Sequence, residues 1–321
     1  MKKFATIGFF DGVHRGHQYL CQQLKQLAGK VSGSSAAGAS ASTLVLTFEK
    51  HPQRVLGRRD APKLLTTNPE KSYFLENLCG IDEVVFLDFT EEIAYLSACD
   101  FMAQYLRDRY GITHLLIGYD HHFGRPQRDA QGNRIPEGFE DYQRYGRELG
   151  IEVVLAKELP SSERVSSSAI RLQLSEGAVA TANRLLGYEY CLTGTVTSGH
   201  QEGRRMGFPT ANLTPISAES LIPAPGVYVT RAYILGRDFP AVTNIGHRPT
   251  LDNGEELSVE SHFLGVERLP DLYGQRIMVT FYERLRDEQR FESVDELKAQ
   301  IARDIEAATD YHRNHAAPEQ F

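Results

Sequence analysis

Residues 43–48 read TLVLTF, an apolar run without the spacing of a helix. A strand apolar on both faces must be covered on both faces, which is the situation of a strand inside a parallel sheet. Four further stretches have a strand-like character: 3–9, EVVFLDF (83–89), HLLIG (114–118) and IEVVLA (151–156). Helical signals separate them. Leu20, Leu24, Leu27 and Ala28 form a stripe. Residues 69–79 open with Pro69 and stop at Gly80, and SACDFMAQYLRDRYG (97–111) has Ser97 as N-cap and Gly111 at its end. Residues 139–149 supply another helix. VSGSSAAGASAS (31–42) is a small-residue loop. Strands alternating with helices predict an α/β domain with a doubly wound parallel sheet, whose ligands bind at the carboxyl ends of the strands.

The pattern changes after about residue 187. CLTGTVTSG (191–199), GVYVTRAYILG (226–236), FPAVTNIG (239–246), SVESHFLG (258–265) and RIMVTFYERL (276–285) are strand-like and separated by Gly/Pro turns, with no helix between them. That arrangement predicts an antiparallel β-barrel, a sandwich being the alternative. A last helix opens at Ser293 and Glu296, a capping box, and carries Leu297, Ile301 and Ile305 on its apolar face. The expected domains are 1–183 and 184–321.

A chain of 321 residues with 41% hydrophobic content has material for two cores. The net charge of -7 weighs against broad binding to nucleic acid or to an anionic membrane, and leaves room for a local basic pocket. Cys21, Cys79, Cys99 and Cys191 form no CxxC pair, and no run approaches the roughly 18 apolar residues of a membrane span. The expected setting is the cytoplasm.

GFFDGVHRGH (8–17) lies between the first strand and the first helix, at the ligand-binding edge of such a sheet. A helix start attracts phosphate through its N–H groups and its partial positive charge. His14 and His17 are three apart on one helix face, and Gly16 between them allows close approach to the backbone. A metal pair or a plain turn are the rival readings; the HExxH spacing of helical zinc sites is absent. Downstream, RVSSSAIR (164–171) sets three hydroxyls between Arg164 and Arg171 at a helix start, either a second phosphate site or an ordinary serine cap.

In the second half, GHQEGRRMGFPTANL (199–213) has glycines at 199, 203 and 207, as a phosphate-following flap would. GxxxxGK[ST] is absent, which excludes a Walker-type kinase. Thr210 and Asn212 offer hard oxygens suited to Mg²⁺, or belong to a plain Pro209 turn. Glu260 sits mid-strand among apolar neighbours, and desolvation is an ordinary route by which a carboxylate becomes a general base. Strand alternation puts His262 on the same face.

Taken together, the first-half motifs resemble the HxGH nucleotidyltransferases. With TFEKHP (47–52), LLTTNPEK (64–71) and IGYDHHFG (117–124) the half resembles the FMN adenylyltransferase module of bacterial bifunctional riboflavin kinase/FAD synthetases. The resemblance implies ATP contacts from Gly8, Phe10, His14, Gly16, His17 and Asp120. It implies triphosphate contacts from Arg164, Ser167, Ser168 and Arg171, and a flavin side near His51 and Pro52. Phe9, Lys50, His121 and Ser168 depart from the usual family residues, and 126–137 resembles a local insertion. The second half, with NIGHRPT (244–250), VESHF (259–263) and LYGQRIMVTFYERLRDEQRF (272–291), resembles the riboflavin kinase module; Met206 is a mild departure. There the resemblance implies that Thr210 and Asn212 attend Mg²⁺ and ATP phosphates, that Glu260 activates the ribityl hydroxyl, and that Gly199, Gly203, Arg204 and the NIGHRPT loop help form the site. The implied small molecules are riboflavin, FMN, FAD and ATP. A nucleotidyltransferase with a non-flavin acceptor, or a flavin-sensing module, are the alternatives.

Overall fold

The computed structural model describes residues 1–33, 40–55, 57, 61–118, 123–125, 131, 135, 137–198, 207–249, 255–266 and 271–315. They form two compact units, Met1–Pro62 with Thr66–Val165, and Lys63–Leu65 with Ser166–Phe321.

The first unit contains β1 (Lys2–Ile7), α1 (Arg15–Gly33), β2 (Ala41–Phe48), α2 (Pro52–Val55), α3 (Asn68–Tyr73), β3 (Glu83–Leu87), α4 (Glu91–Tyr95), α5 (Ala98–Phe101), β4 (His114–Ile117), α6 (Phe139–Leu149) and β5 (Glu152–Leu155). The strands are parallel in the order β3-β2-β1-β4-β5. TLVLTF now has its explanation. Leu44 and Leu46 join Ala5, Ile7, Leu115 and Ile117 in one core, while Val45 joins Phe4 and Leu116 in another. Successive side chains of a strand point to opposite faces, and here both faces are covered. The flanking hydroxyls are satisfied: Thr43 Oγ1 donates to Asp82 at 2.7 Å and Thr47 Oγ1 to the Phe9 carbonyl at 3.0 Å.

The helices expected over 69–79 and 97–111 are present, but each changes winding. α3 continues as a π-helical stretch over Phe74–Leu78, and α5 as one over Met102–Arg109. Ser97 caps α5 by accepting from the Asp100 N–H at 3.1 Å, and Gly111 takes the left-handed conformation beyond the helix end. Strand order reverses at β1 and β4, so the turn after β1 opens at the switch point.

The second unit contains α7 (Ser167–Ser175), α8 (Val179–Leu186), β6 (Cys191–Thr197), β7 (Ala211–Pro215), β8 (Gly226–Ile234), β9 (Arg237–Pro249), β10 (Glu255–Phe263), β11 (Arg276–Arg286) and α9 (Val294–Asn314). The strands close into an antiparallel barrel in the order β10-β7-β6-β11-β8-β9. β7 overlaps the end of the stretch whose glycines suggest a flap. Tyr228, Thr230 and Ala232 of β8 are buried inside, and a ladder of hydroxyls, Thr230 to Thr243 at 2.7 Å and Thr243 to Ser261 at 2.8 Å, crosses three strands. Val227, Val229 and Val242 have the opposite parity and should face water. They are buried because α9 lies over that outer wall, with Ala308 among them. Ser293 caps α9 as expected; Glu296 accepts from Glu292 N–H at 3.2 Å rather than from the cap residue itself.

Candidate active sites

Gly8 follows β1 and its N–H still donates to Leu46 O at 3.1 Å. The chain then turns through three residues at positive φ: Phe10 (54°), Gly12 (77°) and Val13 (34°). Phe10 and Val13 store strain there, about 1–3 kcal/mol each by the usual cost of such conformers. A buried polar lock holds the turn. Asp11 accepts from the Thr66 N–H at 3.1 Å and from its hydroxyl at 3.3 Å, while Gly12 N–H donates to Thr66 Oγ1 at 3.1 Å.

The turn delivers His14, buried, and His17 to the start of α1. Their rings stack at 3.7 Å and 15°, and Phe10 lies 5.0 Å from His17. His17 N–H donates to His14 Nδ1 at 3.4 Å. An accepting Nδ1 carries no proton, so His14 holds its hydrogen on Nε2, the arrangement needed to donate to an anion. Gly16 serves this pair: a Cβ there would lie 3.2 Å from the His14 ring. Its missing side chain makes room for an imidazole.

Beside the turn, Phe9 meets His51 edge-on at 4.6 Å. His51 Nδ1 accepts from Gln53 N–H at 3.2 Å, and Pro52 begins α2. Lys71 of α3, 1% exposed, brings its ammonium 3.9 Å from the Phe9 ring and 3.5 Å from Thr47 Oγ1. Desolvation lowers its pKa from 10.5 to about 8, opposed by the charge of Asp11. Sequence reasoning passed over Asp11, Thr66 and Lys71. The one signal for Asp11 was the Asp-Gly pair before the histidines; nothing local marks Lys71 as buried.

Arg164 is exposed in the first unit. Ser167, Ser168 and Arg171 belong to the second, on α7. Ser166 is the N-cap, accepting from Ala169 N–H at 3.2 Å, so Ser167 and Ser168 occupy the first helical positions with another residue capping. Arg171 Nε donates to Lys63 O at 2.7 Å. Asp120, His121, Gly199, Gly203, Arg204 and Met206 lie outside the described residues.

On the barrel, Glu260 of β10 pairs in register with Asn212 of β7. Thr210 Oγ1 donates to Glu260 Oε2 at 3.3 Å. Thr210, Glu260, His262 and Asn244 lie at a cavity of about 340 Å³ on the outer wall, the side covered by α9. Its remaining lining is mixed: Phe208, Val227, Val242, Phe291, Leu297 and Ile301 are apolar, and Arg286, Glu288, Gln289 and Asp304 are polar or charged. Asp304 of α9 binds Arg286 of β11 through Nε at 3.0 Å and Nη2 at 2.8 Å and accepts from Gln300 at 2.8 Å. This two-pronged pair holds the helix against the wall. A carboxylate beside a hydroxyl, at a cavity with apolar and charged walls, suits deprotonation of an alcohol.

Two family models match the chain in succession, FAD synthetase over residues 1–169 and riboflavin kinase over residues 186–312. A bifunctional riboflavin kinase/FMN adenylyltransferase of Escherichia coli (strain K12) is 36% identical over 308 residues, 95% of this chain and 91% of that protein. One from Bacillus subtilis (strain 168) is 33% identical over 316 residues, 98% and 93% of the two chains. A solved structure described as a macrolide-efflux protein from Streptococcus pneumoniae has a TM-score of 0.80 at 29% identity and covers 96% of this chain and 94% of its own. Among the described residues no helix is long and apolar enough to cross a membrane.

Proposed function

Since the chain belongs to the bifunctional riboflavin kinase/FMN adenylyltransferase family, we propose a division of labour between its two sites, residue by residue. The enzyme phosphorylates riboflavin with ATP to give FMN and ADP. It then joins FMN to the adenylyl group of a second ATP, giving FAD and pyrophosphate. The observation that carries the reading is that each family model falls on its own built site: a stacked histidine pair at a helix start, and a carboxylate–hydroxyl pair on a barrel wall.

In the first step Glu260 takes the proton of the ribityl 5′-hydroxyl as that oxygen attacks the γ-phosphorus of ATP and ADP departs. The apolar side of the cavity under α9 receives the flavin ring beside that carboxylate. Thr210, just before β7, and Asn212, within it, supply hydroxyl and amide oxygens, a hard donor set that fits Mg²⁺ completed by phosphate oxygens and water. Bound there, Mg²⁺ neutralises polyphosphate charge. Gly199, Gly203 and Arg204 are assigned to the phosphate side.

In the second step a phosphate oxygen of FMN attacks the α-phosphorus of ATP and pyrophosphate leaves. No protein nucleophile is required; positioning and charge stabilisation suffice. His14 donates from Nε2 and His17 stacks beside it. Gly8, Phe10, Gly16 and Asp120 attend the adenylyl group, Arg164, Ser167, Ser168 and Arg171 the triphosphate, and His51 and Pro52 the flavin. The functional division is taken at 183/184, and four free cysteines suit a cytoplasmic setting.

Riboflavin with MgATP should yield FMN and then FAD in a time course. Glu260→Ala should abolish FMN formation and spare FMN-to-FAD conversion; His14→Ala and His17→Ala should do the reverse. One substitution that stops both steps in a folded protein refutes the two-site assignment.

A further inference from the structure

The ladder between β10 and β7 runs Val259↔Leu213, Glu260↔Asn212, Ser261↔Ala211 and stops. The residues next in line on the β7 side are Thr210 and Pro209. Proline has no N–H to continue a ladder. The side chain of His262 takes over at this point: its Nδ1 lies 2.9 Å from the Pro209 carbonyl oxygen. A carbonyl oxygen only accepts, so Nδ1 carries the hydrogen whatever the state of the ring. Phe208, next along the chain, sets its ring edge-on to His262 at 6.1 Å.

We propose that His262 is a positioning residue of the kinase site, whose Nδ1–H clasps the Pro209 carbonyl and thereby sets Thr210 against Glu260. Thr210 is joined to Pro209 by one peptide bond and holds Glu260 through its hydroxyl at 3.3 Å. The segment is thus secured on both sides of the Pro209–Thr210 peptide, by one side chain on each, and both of those side chains come from β10. Glu260 and His262 are two residues apart and share the outer face, so one strand presents the base and fixes the hydroxyl beside it. The clasp acts on the phosphate side of the reaction. His262 and Phe208 also line the cavity that receives the flavin ring, but its other apolar residues, Val227, Val242, Phe291, Leu297 and Ile301, are not held by the clasp. Losing the clasp therefore degrades use of MgATP more than riboflavin affinity. The inference rests on the assignment of Thr210 and Glu260 made above.

The test compares His262→Ala, His262→Asn and His262→Gln in the full-length protein by steady-state riboflavin phosphorylation. An asparagine amide reaches about as far as Nδ1, and a glutamine amide about as far as Nε2. His262→Ala should lose about tenfold or more in kcat/KM for MgATP, with the KM for riboflavin within about twofold, in line with a lost hydrogen bond felt at the transition state. His262→Asn should regain most of that loss and His262→Gln should not. Thermal unfolding of each variant separates a folding defect from a local one. If His262→Ala destabilises the barrel, the Asn-against-Gln comparison still decides. Equal rescue by both, better rescue by Gln, no loss in His262→Ala, or a loss confined to the riboflavin KM overturns the clasp. Thr210→Ala is the control for the underlying assignment. Full kinase activity in that variant refutes the site reading itself, whereas an inactive Thr210→Ala with indistinguishable Asn and Gln variants refutes the clasp alone.

Discussion

Lys71→Met isolates the energetic cost of a buried cation. The ammonium is 1% exposed, and its pKa falls from 10.5 to about 8 because burial disfavours the charged form. A difference of that size corresponds to about 3 kcal/mol of penalty in the folded state, at about 1.4 kcal/mol per pH unit. The sign follows from proton counts. Between about pH 8 and pH 10.5 the unfolded chain holds a proton that the native chain has released, so stability rises with pH across that window. At pH 7 the native lysine is charged and nearly the whole penalty stands. Methionine matches its length without the charge. The substitution forfeits the contact with Phe9, worth about 1–2 kcal/mol for a desolvated cation over a ring. Asp11 keeps its two bonds from Thr66. The net expectation at pH 7 is a gain of about 1–2 kcal/mol in the first unit, shrinking towards zero near pH 10, where the wild-type lysine is neutral. Urea unfolding followed by circular dichroism at a helix wavelength, which weights the helix-rich first unit, measures this at both pH values. A variant less stable than wild type at pH 7, or an advantage unchanged at pH 10, refutes the reasoning.

Three further perturbations have clear directions. Asp304→Asn strips the two-pronged partner from Arg286, which is only 16% exposed, and should lower barrel stability by about 3 kcal/mol while raising the KM for riboflavin; an unchanged thermal midpoint contradicts the role of the pair. Leu235 sits at φ 52° in the tight β8–β9 turn and is 57% exposed, so Leu235→Asn should stabilise the barrel by about 0.5–1 kcal/mol, read as an upward shift of the urea midpoint. Gly124→Ala should destabilise the first unit by more than about 2 kcal/mol, since φ is 81° and the added Cβ would lie 2.3 Å from the Ala98 nitrogen; wild-type stability would show that the backbone there moves freely.

Much of the fold was legible because its signals are local. A run apolar at every position, as at 44–46, demands cover on both faces, and the two cores on either side of β2 provide it. The position of GFFDGVHRGH between β1 and α1 followed from the same alternation. The barrel's strands were visible except β7, whose five residues begin at Ala211, two after Pro209, and lack the alternating length of the others. The change from α to π winding after α3 and α5 left no mark in composition, because the apolar spacing of a single turn hardly differs between the two.

The candidate sites divide in the same way. Residue types and spacing put His14, His17, Thr210, Asn212 and Glu260 forward beside plainer readings, and the family resemblance chose between them. The sequence by itself also determined an α/β first half and an antiparallel β second half, through periods of 2 and 3.6 that any short window reveals, while closure into a barrel instead of a sandwich came from the structure. Only the tertiary structure decided that the cavity beside Thr210 and Glu260 lies on the outside of the barrel. Strand alternation separates two faces but does not say which is covered, and that depends on where α9 returns after the barrel has closed. Likewise, the proton position on His14, the burial of Lys71 and the clasp of His262 on Pro209 arise from groups distant in sequence or turned by strained backbone. Such contacts are settled by packing, and packing is a property of the closed fold.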